Sequence, residues 1–593
     1  MGRQVDRNLL LAFVLSFIVL YAWSAWQESV QPEAPAEVAR EDETTQAGAA
    51  EEGRESESPR DRERFSDLPQ RESSAPAPPA PAAGGERPRE VADEPLAPAT
   101  EIAIDRPLYD AVLTNLGGAL RRWELDEYTD EFGDRVALVA AERSGGEVAI
   151  TPFLELGQGD LSRTEWQIAS RDENEIVFAW EGGGVALRKT WSFEEEGYGF
   201  RLRLDVSNGS EAPIVPRFLV EWPARVRPER DFVEHSLAVL QQGELKQTPI
   251  AGLGSAGFFG WFTGSVPSDH EDYVGGIEWA GVHTTYFVSA LMPDDPGRAS
   301  ARFAAIETGE RAAVDVFFDG VELAPGHSLM REYRGYVGPK EMERLEAIGN
   351  GIDRSVDLGW SWFAPLTRGF VWLLHVLYSF IPNYGVAIIL LTLLVRVVTA
   401  PLTIKQMRSM ERLRRVQPRM KEIQEKYAND RQKQSEELMR LYRVEKVNPL
   451  GGCLPMILQL PVFIGLFYAL RSSIQLRHAP FFGWITDLSA PEVLFTIPGL
   501  ELPVRVLPLI MGGTMYLQQK ITPMQTPDPA QARMMLTIMP VMMTVLFYQF
   551  ASGLVLYWMM SNVLAILHQL WIGRNLGPPT ATAETGSPAP KPA

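Results

Sequence analysis

The sequence is poor in the residues that build disulfides and metal centres. Its 593 residues contain a single cysteine, Cys453, which excludes a disulfide-stapled scaffold and a cysteine-based zinc or iron–sulfur site. Its seven histidines show no clustered ligand spacing, and we find no Walker sequence for nucleotide binding. We therefore expect no cofactor and no metal ion.

The charge is distributed unevenly along the chain. Residues 356–593 contain 22 Lys and Arg against 13 Asp and Glu, whereas residues 1–355 contain 34 against 63. The acidic first half would repel nucleic-acid phosphates, so we expect no DNA partner. The second half is also far more apolar. These contrasts predict a membrane protein with a large water-exposed head.

Residues 1–27 predict a transmembrane anchor. An apolar run from residue 9 to residue 26 follows Arg3 and Arg7 and ends in interfacial aromatics. A cleaved signal peptide is the alternative, but bulky aromatics stand where small residues mark a cleavage site. The basic flank before the run predicts a cytoplasmic N-terminus.

A linker and a β domain are predicted after the anchor. Residues 28–100 are acidic, rich in Pro and Ala and have almost nothing to bury, so we expect a disordered linker. Residues 101–350 show the alternation of apolar and polar side chains that is typical of strands, clearest at Phe200, Leu202, Leu204 and Val206. A similar alternation on both sides of residues 182–184 predicts a β-hairpin. We expect one large antiparallel sandwich.

Five further apolar segments in the second half are each close to the length of a membrane span or slightly shorter. They cover residues 384–402, 449–471, 502–521, 534–550 and 554–572. Residues 351–383 contain Pro365, Arg368 and His375, and we expect an amphipathic helix in the membrane interface there. With the anchor, this gives six transmembrane helices, five of them in a core at residues 384–572. A tail follows at residues 573–593.

A basic loop predicts the orientation in the membrane. Residues 403–447 carry 13 Lys and Arg against 7 Asp and Glu and are cytoplasmic by the positive-inside rule. Both termini are then cytoplasmic and the β domain is periplasmic, as in a Gram-negative inner membrane. A 3–4 apolar spacing on both sides of Asn429 and Asp430 predicts a helical hairpin. Its first arm could contact anionic lipid, ribosomal RNA or a targeting factor through Lys405, Arg408, Arg412, Arg414, Arg415 and Arg419.

Arg396 is the strongest functional candidate, because it lies inside an apolar span. A charge at the centre of a membrane helix costs ~2.5–3.5 kcal/mol on insertion scales. Thr392 and Thr399 share its helix face, and the other four core spans contain no Asp or Glu to pair with it. An unpaired guanidinium backed by hydroxyls predicts a hydrated cavity open to one side. The alternative is that the side chain reaches the cytoplasmic interface.

Polar residues in the remaining spans extend this candidate site. Taken singly, each is better explained by an interhelical hydrogen bond than by substrate contact. Taken with Arg396, they predict a partly hydrated groove between the helices. They are Gln459, Thr514, Gln518, Tyr557 and Ser561.

Four features of the sequence stand out as motifs: VEKVNPLGGCLPMILQLPVFIGLFYAL (444–470), FFGWITDLSAP (481–491), ASGLVLYWMMSN (551–562) and the lone arginine of the first core span. They resemble the YidC family, the membrane protein insertases of Gram-negative bacteria in the Oxa/Alb superfamily, which implies that the chain is not an enzyme. The resemblance implies a β-supersandwich similar to that of galactose mutarotase and a groove open to cytoplasm and lipid. It also implies that Arg396 is the groove arginine and that Thr392 and Tyr557 contact substrate. The sequence differs from the family pattern in a longer loop before Leu502 and in its acidic linker.

The expected fold class is therefore an α+β membrane protein, with six transmembrane helices and a periplasmic antiparallel β-supersandwich. The resemblance implies an ATP-independent insertase for nascent membrane proteins, acting alone or with the Sec translocon. Membrane lipids, the ribosome and a targeting factor are further expected partners. Two other classes stay open: a secondary transporter, which usually needs intramembrane carboxylates, and a sugar enzyme in the β domain.

Overall fold

The computed structural model describes residues 99–130, 132–140, 150–226, 235–254, 268–445, 454–499, 502–521 and 533–575. All of these residues belong to one compact unit. The predicted anchor, nearly all of the predicted linker and the predicted tail beyond residue 575 lie outside the described residues, as does Cys453.

The strands between residues 101 and 339 form three antiparallel sheets. The largest has nine strands in the order β11-β10-β13-β14-β17-β8-β7-β6-β5, and the two four-stranded sheets have the orders β1-β2-β3-β4 and β12-β15-β16-β9. The strands are β1 Glu101–Asp105, β2 Tyr109–Thr114, β3 Ala119–Thr129, β4 Arg135–Ala140, β5 Gln167–Arg171, β6 Glu175–Gly182, β7 Val185–Phe193, β8 Gly199–Asn208, β9 Leu219–Arg225, β10 Ser236–Gln241, β11 Glu244–Pro249, β12 His270–Tyr273, β13 Ile277–His283, β14 Phe287–Pro293, β15 Ala299–Glu307, β16 Arg311–Phe318 and β17 Ser328–Pro339.

Alternation along the strands builds the core of this sandwich, as the sequence predicts. In β8, Phe200, Leu202, Leu204 and Val206 are each at most 1% exposed, while the arginines between them point to solvent. The predicted hairpin joins β6 to β7, with Gly182 opposite Val185. Its two central glycines have φ of +59° and +79°, the left-handed conformation that tight hairpin turns require. The antiparallel β-sandwich prediction is therefore confirmed.

Helices dominate the described chain after the sheets. Two short strands, β18 Phe495–Ile497 and β19 Leu502–Val504, interrupt them, and a π-helical turn, Met534–Ile538, leads directly into the seventh helix. The helices are α1 Met342–Ile348, α2 Ala364–Phe380, α3 Tyr384–Lys426, α4 Arg431–Val444, α5 Leu454–Ser472, α6 Leu507–Ile521, α7 Met539–Phe547 and α8 Ser552–Asn575.

Two helical segments among the described residues are long and apolar enough to cross a membrane. They are Tyr384–Ile404 in α3 and Ser552–Trp571 in α8, with mean hydropathies of 2.2 and 1.3. The segment Met534–Phe547 is apolar but shorter than a full span. The count of six transmembrane helices stays a prediction.

One predicted boundary is wrong. The predicted span 502–521 begins in a strand, because Leu502–Val504 pairs with Phe495–Ile497 around Gly499 and helix α6 starts only at Leu507. Gly499, between the two strands, has φ +86°, a backbone conformation that few residues other than glycine adopt. The predicted span 384–402 agrees closely with the apolar segment Tyr384–Ile404, and α3 continues beyond it as one helix to Lys426.

The basic hairpin packs through a small apolar cluster between α3 and α4. Val416 and Met420 are buried, and Leu438, Leu441 and Tyr442 pack against them. The second arm is capped at its start, because the Asp430 side chain accepts a hydrogen bond from the Lys433 backbone N–H at 3.0 Å.

Contacts connect the sandwich to the helices. Arg477, which follows α5, donates to the Thr129 carbonyl at 2.5 Å, and Arg368 of α2 lies 3.1 Å from the Glu346 carboxylate on α1. Helix α2 crosses α5 closely at Gly465, where an added Cβ would lie 3.0 Å from the ring of Phe370.

Candidate functional site

Arg396 joins α3 to α8. Its Nη2 donates to the carbonyl oxygen of Ser561 at 2.9 Å and to the Ser561 hydroxyl at 2.5 Å. The packing of α8 on α3 thus supplies two neutral acceptors, which the sequence analysis did not predict. Within the described part of the chain, however, no carboxylate forms an ion pair with Arg396, so its charge has no opposite charge beside it.

Most of the hydrogen-bonding capacity of Arg396 is unused. A guanidinium carries five N–H donors, and the two bonds to Ser561 both come from Nη2. Its other three N–H donors, on Nε and Nη1, make no hydrogen bond to any described residue. The side chain is half-buried, so these donors stay within reach of an incoming group.

Tyr557 and Gln459 complete a cluster beside this pair. Tyr557 lies four residues before Ser561 on α8, is 2% exposed, and accepts a hydrogen bond from Gln459 Nε2 of α5 at 2.8 Å. The structure therefore brings together four of the eight predicted groove residues on three helices. We call this set the polar cluster: Arg396, Gln459, Tyr557 and Ser561.

The threonines beside Arg396 bond within their own helix. The Thr392 hydroxyl donates to the Ile388 carbonyl at 2.6 Å, and the Thr399 hydroxyl donates to the Val395 carbonyl at 2.8 Å. Thr399 is half-buried, but Thr392 is only 1% exposed. The expectation of an open row of hydroxyl groups thus fits Thr399 but not Thr392, which an incoming group could touch only after its neighbours moved.

Thr514 of α6 forms a second polar contact with α8. The Thr514 hydroxyl donates to the Met511 carbonyl at 2.8 Å and lies 3.4 Å from the amide nitrogen of Asn562. Gln518 is half-buried and also has an interaction within the protein. The sequence analysis missed Asn562, which is 5% exposed. Its position directly after Ser561 in an apolar span could have revealed it.

The hairpin arginines lie apart from the polar cluster. Arg412 is 16 residues beyond Arg396 on the same helix, or about 24 Å at the helical rise. Arg412, Arg415 and Arg419 are exposed, and Arg419 donates to the Glu445 carboxylate at 2.5 Å. The side chains of Lys405, Arg408 and Arg414 lie outside the described part of the structure.

The cluster is suited to binding an anionic group, not to catalysis or metal binding. Among the described residues there is no group of three or more His, Cys, Asp or Glu side chains that could hold a metal ion. A guanidinium among neutral hydroxyl and amide groups attracts anions more strongly than it would in water, because the surrounding dielectric is lower. The arrangement can therefore receive a carboxylate and release it again.

Comparison with known proteins gives consistent matches. Residues 376–578 match the family described as 60Kd inner membrane protein, and residues 101–373 match the YidC periplasmic domain. A Membrane protein insertase YidC of Pelobacter propionicus is 35% identical over 83% of this chain and 91% of the relative. One of Geobacter metallireducens is 34% identical over 96% of this chain and 99% of the relative. A solved structure titled "Active YidC insertase crystal structure with the first transmembrane domain resolved" is 18% identical over 80% of this chain and 92% of that one, with a TM-score of 0.33.

The fold and the matches define a bacterial inner-membrane protein with a periplasmic β-sandwich domain and a helical membrane region. The chain belongs to the YidC family of membrane protein insertases. The recognition from sequence motifs is thus confirmed. The alternative of a secondary transporter finds no support among the matches, and membership of an insertase family places the chain outside the enzymes.

Proposed function

We propose that the protein inserts nascent membrane proteins through a groove lined by the polar cluster. The observation that carries the proposal is Arg396, a cation with three unused N–H donors and no carboxylate partner among the described residues. Gln459 and Tyr557 extend the polar surface beside it. Thr392, Thr399, Thr514 and Gln518 are the further groove residues of the proposal.

In this mechanism the groove lowers the barrier for a short polar tail to enter the membrane. The acidic N-terminal tail of a client is attracted to Arg396 within a reduced dielectric. Its apolar segment then moves along Met- and Leu-rich helix faces into lipid, where burial of ~20 apolar residues supplies the free energy. The membrane potential assists by acting on the acidic residues as they cross. No nucleotide is consumed.

The proposed topology has six transmembrane helices with both termini in the cytoplasm. Residues 1–27 form the anchor, 28–100 the linker, 351–383 the interfacial helix and 384–572 the core, with a groove open to cytoplasm and lipid. The 13 Lys and Arg at residues 403–447 support a cytoplasmic hairpin. The β domain, which belongs to the acidic first half of the sequence, is then on the periplasmic side.

The proposed partners follow from this topology. Nascent membrane proteins are the clients, received alone or together with the Sec translocon. The exposed arginines of the hairpin, among them Arg412, Arg415 and Arg419, support contact with anionic lipid headgroups. The ribosome and a targeting factor are further partners for the same basic surface.

The test is an insertion assay in proteoliposomes with two versions of one client, one with an acidic N-terminal tail and one with that tail neutralised. We expect Arg396→Ala to lower insertion of the acidic client about tenfold, equivalent to ~1.4 kcal/mol, and to leave the neutral client nearly unchanged. Arg396→Lys is the matched control and should retain much of the activity because it keeps the charge. Ser561→Ala should have a smaller effect, since the Ser561 carbonyl still accepts from Arg396. Equal loss for both client versions would refute the role of the charge.

A further inference from the structure

The hairpin of β18 and β19 lies between α5 and α6 and belongs to the loop in which this sequence differs from the family pattern. Its register places Phe495 opposite Val504 and Ile497 opposite Leu502. Because side chains alternate along a strand, these four apolar residues share one face. Thr496 and Pro503 share the other face.

Among the described residues, protein covers the apolar face of the hairpin only in part, since Ile497 and Val504 are half-buried. Phe495 is 53% exposed and Leu502 is 47% exposed, and Val493 and Leu494 at the base are 41% and 44% exposed. A contiguous exposed apolar patch of this kind marks an interaction surface. An isolated two-stranded hairpin is also only marginally stable in water, so its conformation depends on what covers it.

The neighbouring residues indicate that lipid is the cover. Helix α6 starts three residues after Val504, and its first turn exposes Leu509 and Ile510 at 55% and 43%. The hairpin therefore continues an apolar surface that belongs to the membrane region of an inner-membrane protein.

Two aromatic residues form hydrogen bonds to the hairpin and to the chain just before it. Trp484 donates from its indole nitrogen to the Glu492 carboxylate at 2.7 Å, and the Tyr548 hydroxyl donates to the Pro503 carbonyl at 2.5 Å. Tryptophan and tyrosine prefer the membrane–water boundary, where one end of the ring is apolar and the other is wet. The contacts of Trp484 and Tyr548 therefore favour a hairpin at that boundary.

We propose that the apolar face of the β18–β19 hairpin dips into the bilayer interface and anchors the start of α6 to lipid. Apart from the Pro503 carbonyl, which accepts from Tyr548, the outer edges of this two-stranded hairpin lie outside its own ladder, and the hydrocarbon core cannot satisfy backbone N–H and C=O groups there. The backbone therefore lies at headgroup level, and the side chains of Phe495 and Leu502 reach the acyl boundary, as in other interfacial segments. This anchoring role is independent of the groove and of client insertion.

The test uses the full chain in phospholipid nanodiscs, with Cys453→Ser and one new cysteine that carries an environment-sensitive fluorophore. Phe495→Cys probes the apolar face and Thr496→Cys, the adjacent residue on the opposite face, is the matched control. We expect a lipid with a nitroxide near its headgroup to quench the Phe495 probe, and aqueous iodide to quench it at least about fivefold less than the Thr496 probe.

Leu502→Cys gives a second reading from the same face and should behave as Phe495→Cys does. Equal access of iodide to both faces would show a hairpin in water and overturn the proposal. A Phe495 probe shielded from both iodide and nitroxide lipid would show a protein cover and overturn it as well. Neither readout depends on insertion activity, so the result is separate from that of the groove experiment.

Discussion

Arg396 and Lys189 are two cations in apolar surroundings, and their environments differ. Arg396 is half-buried with unused donors, and a guanidinium keeps its charge under all ordinary conditions. Lys189 is 1% exposed inside the sandwich, where its Nζ donates to the Gly117 carbonyl at 2.6 Å and lies 5.0 Å from the centre of the Trp166 ring. Burial lowers the pKa of Lys189 from 10.5 to about 7. Arg396 is therefore available to bind an anion, whereas the burial of Lys189 in its charged form destabilises the sandwich.

The lowered pKa of Lys189 predicts how stability depends on pH. Between pH 7 and 10.5 the unfolded chain keeps a proton that folded Lys189 has released, so the free energy of unfolding rises with pH in this window. From pH 7 to 9, Lys189 contributes at most about 3 kcal/mol to this rise in the free energy of unfolding. Lys189→Met should remove that contribution. Urea unfolding of the full chain in detergent, followed by tryptophan fluorescence, measures it.

Lys340 contributes to the same rise, because burial lowers its pKa to about 7 as well. The prediction for Lys189 therefore concerns the slope of the free energy of unfolding against pH, which should be smaller in Lys189→Met than in the wild type. The slope of the variant is not expected to be zero. Lys246→Met, on the edge strand β11, is the matched control and should keep the wild-type slope. An unchanged slope in Lys189→Met would show that the lysine stays charged in the fold.

At the scale of elements, the main feature is the continuity of α3 from the membrane segment into the basic hairpin. The helix passes through Pro401 and Pro418, each of which lacks a backbone N–H for the helical ladder. The hairpin is then held by its small cluster around Met420 and by the cap at Asp430. So small a cluster makes the cap a large share of the stability of α4.

Asp430→Ala should therefore loosen the hairpin. Loss of an N-cap costs ~1 kcal/mol, which corresponds to a roughly fivefold increase in local opening. Hydrogen exchange of the amides in the first turns of α4 measures this directly. Asp430→Asn keeps a capping oxygen and loses only the exposed ion pair with Lys433, so its exchange should stay near wild type. Equal exchange in both variants would contradict the capping role.

At the scale of the whole molecule, a β-sandwich in the acidic first half of the sequence is joined to a basic helical region. The ion pair of Arg368 with Glu346 at their junction is half-exposed and contributes at most about 1 kcal/mol. Apolar packing matters more, since Ile474, just after α5, is 3% exposed and belongs to the same core cluster as the sandwich. The two regions therefore meet through a shared apolar core.

The proposed topology predicts opposite labelling of these regions. In a Cys453→Ser background, Phe132→Cys, at a position that is 72% exposed in the sandwich, should react with a membrane-impermeant maleimide on intact spheroplasts. Lys433→Cys in the hairpin should react only after permeabilisation, because the positive-inside rule places it in the cytoplasm. Labelling of both residues from outside, or of neither, would reject six spans with this orientation.

Much of the fold could be predicted from the sequence, because local periodicity carries it. The alternation in β8, the turn at Gly183 and Gly184, and the helical hairpin around Asp430 all follow from spacing over a few residues. Two of the predicted spans, those beginning near Tyr384 and Ser552, also follow from composition alone. The β18–β19 hairpin was missed because its apolar residues read equally well as the start of a span.

The sequence by itself determined that an arginine lies in an apolar helix. It also determined that the other core spans contain no carboxylate to pair with this arginine. Only the tertiary structure decided what surrounds it, because Ser561 lies 165 residues further along the chain and reaches Arg396 through the packing of α8 on α3. Tertiary packing also buries Thr392, and the packing of α6 on α8 brings Asn562 to Thr514. Periodicity assigns a residue to a face, but contact between faces depends on how distant helices pack, and no local spacing contains that information.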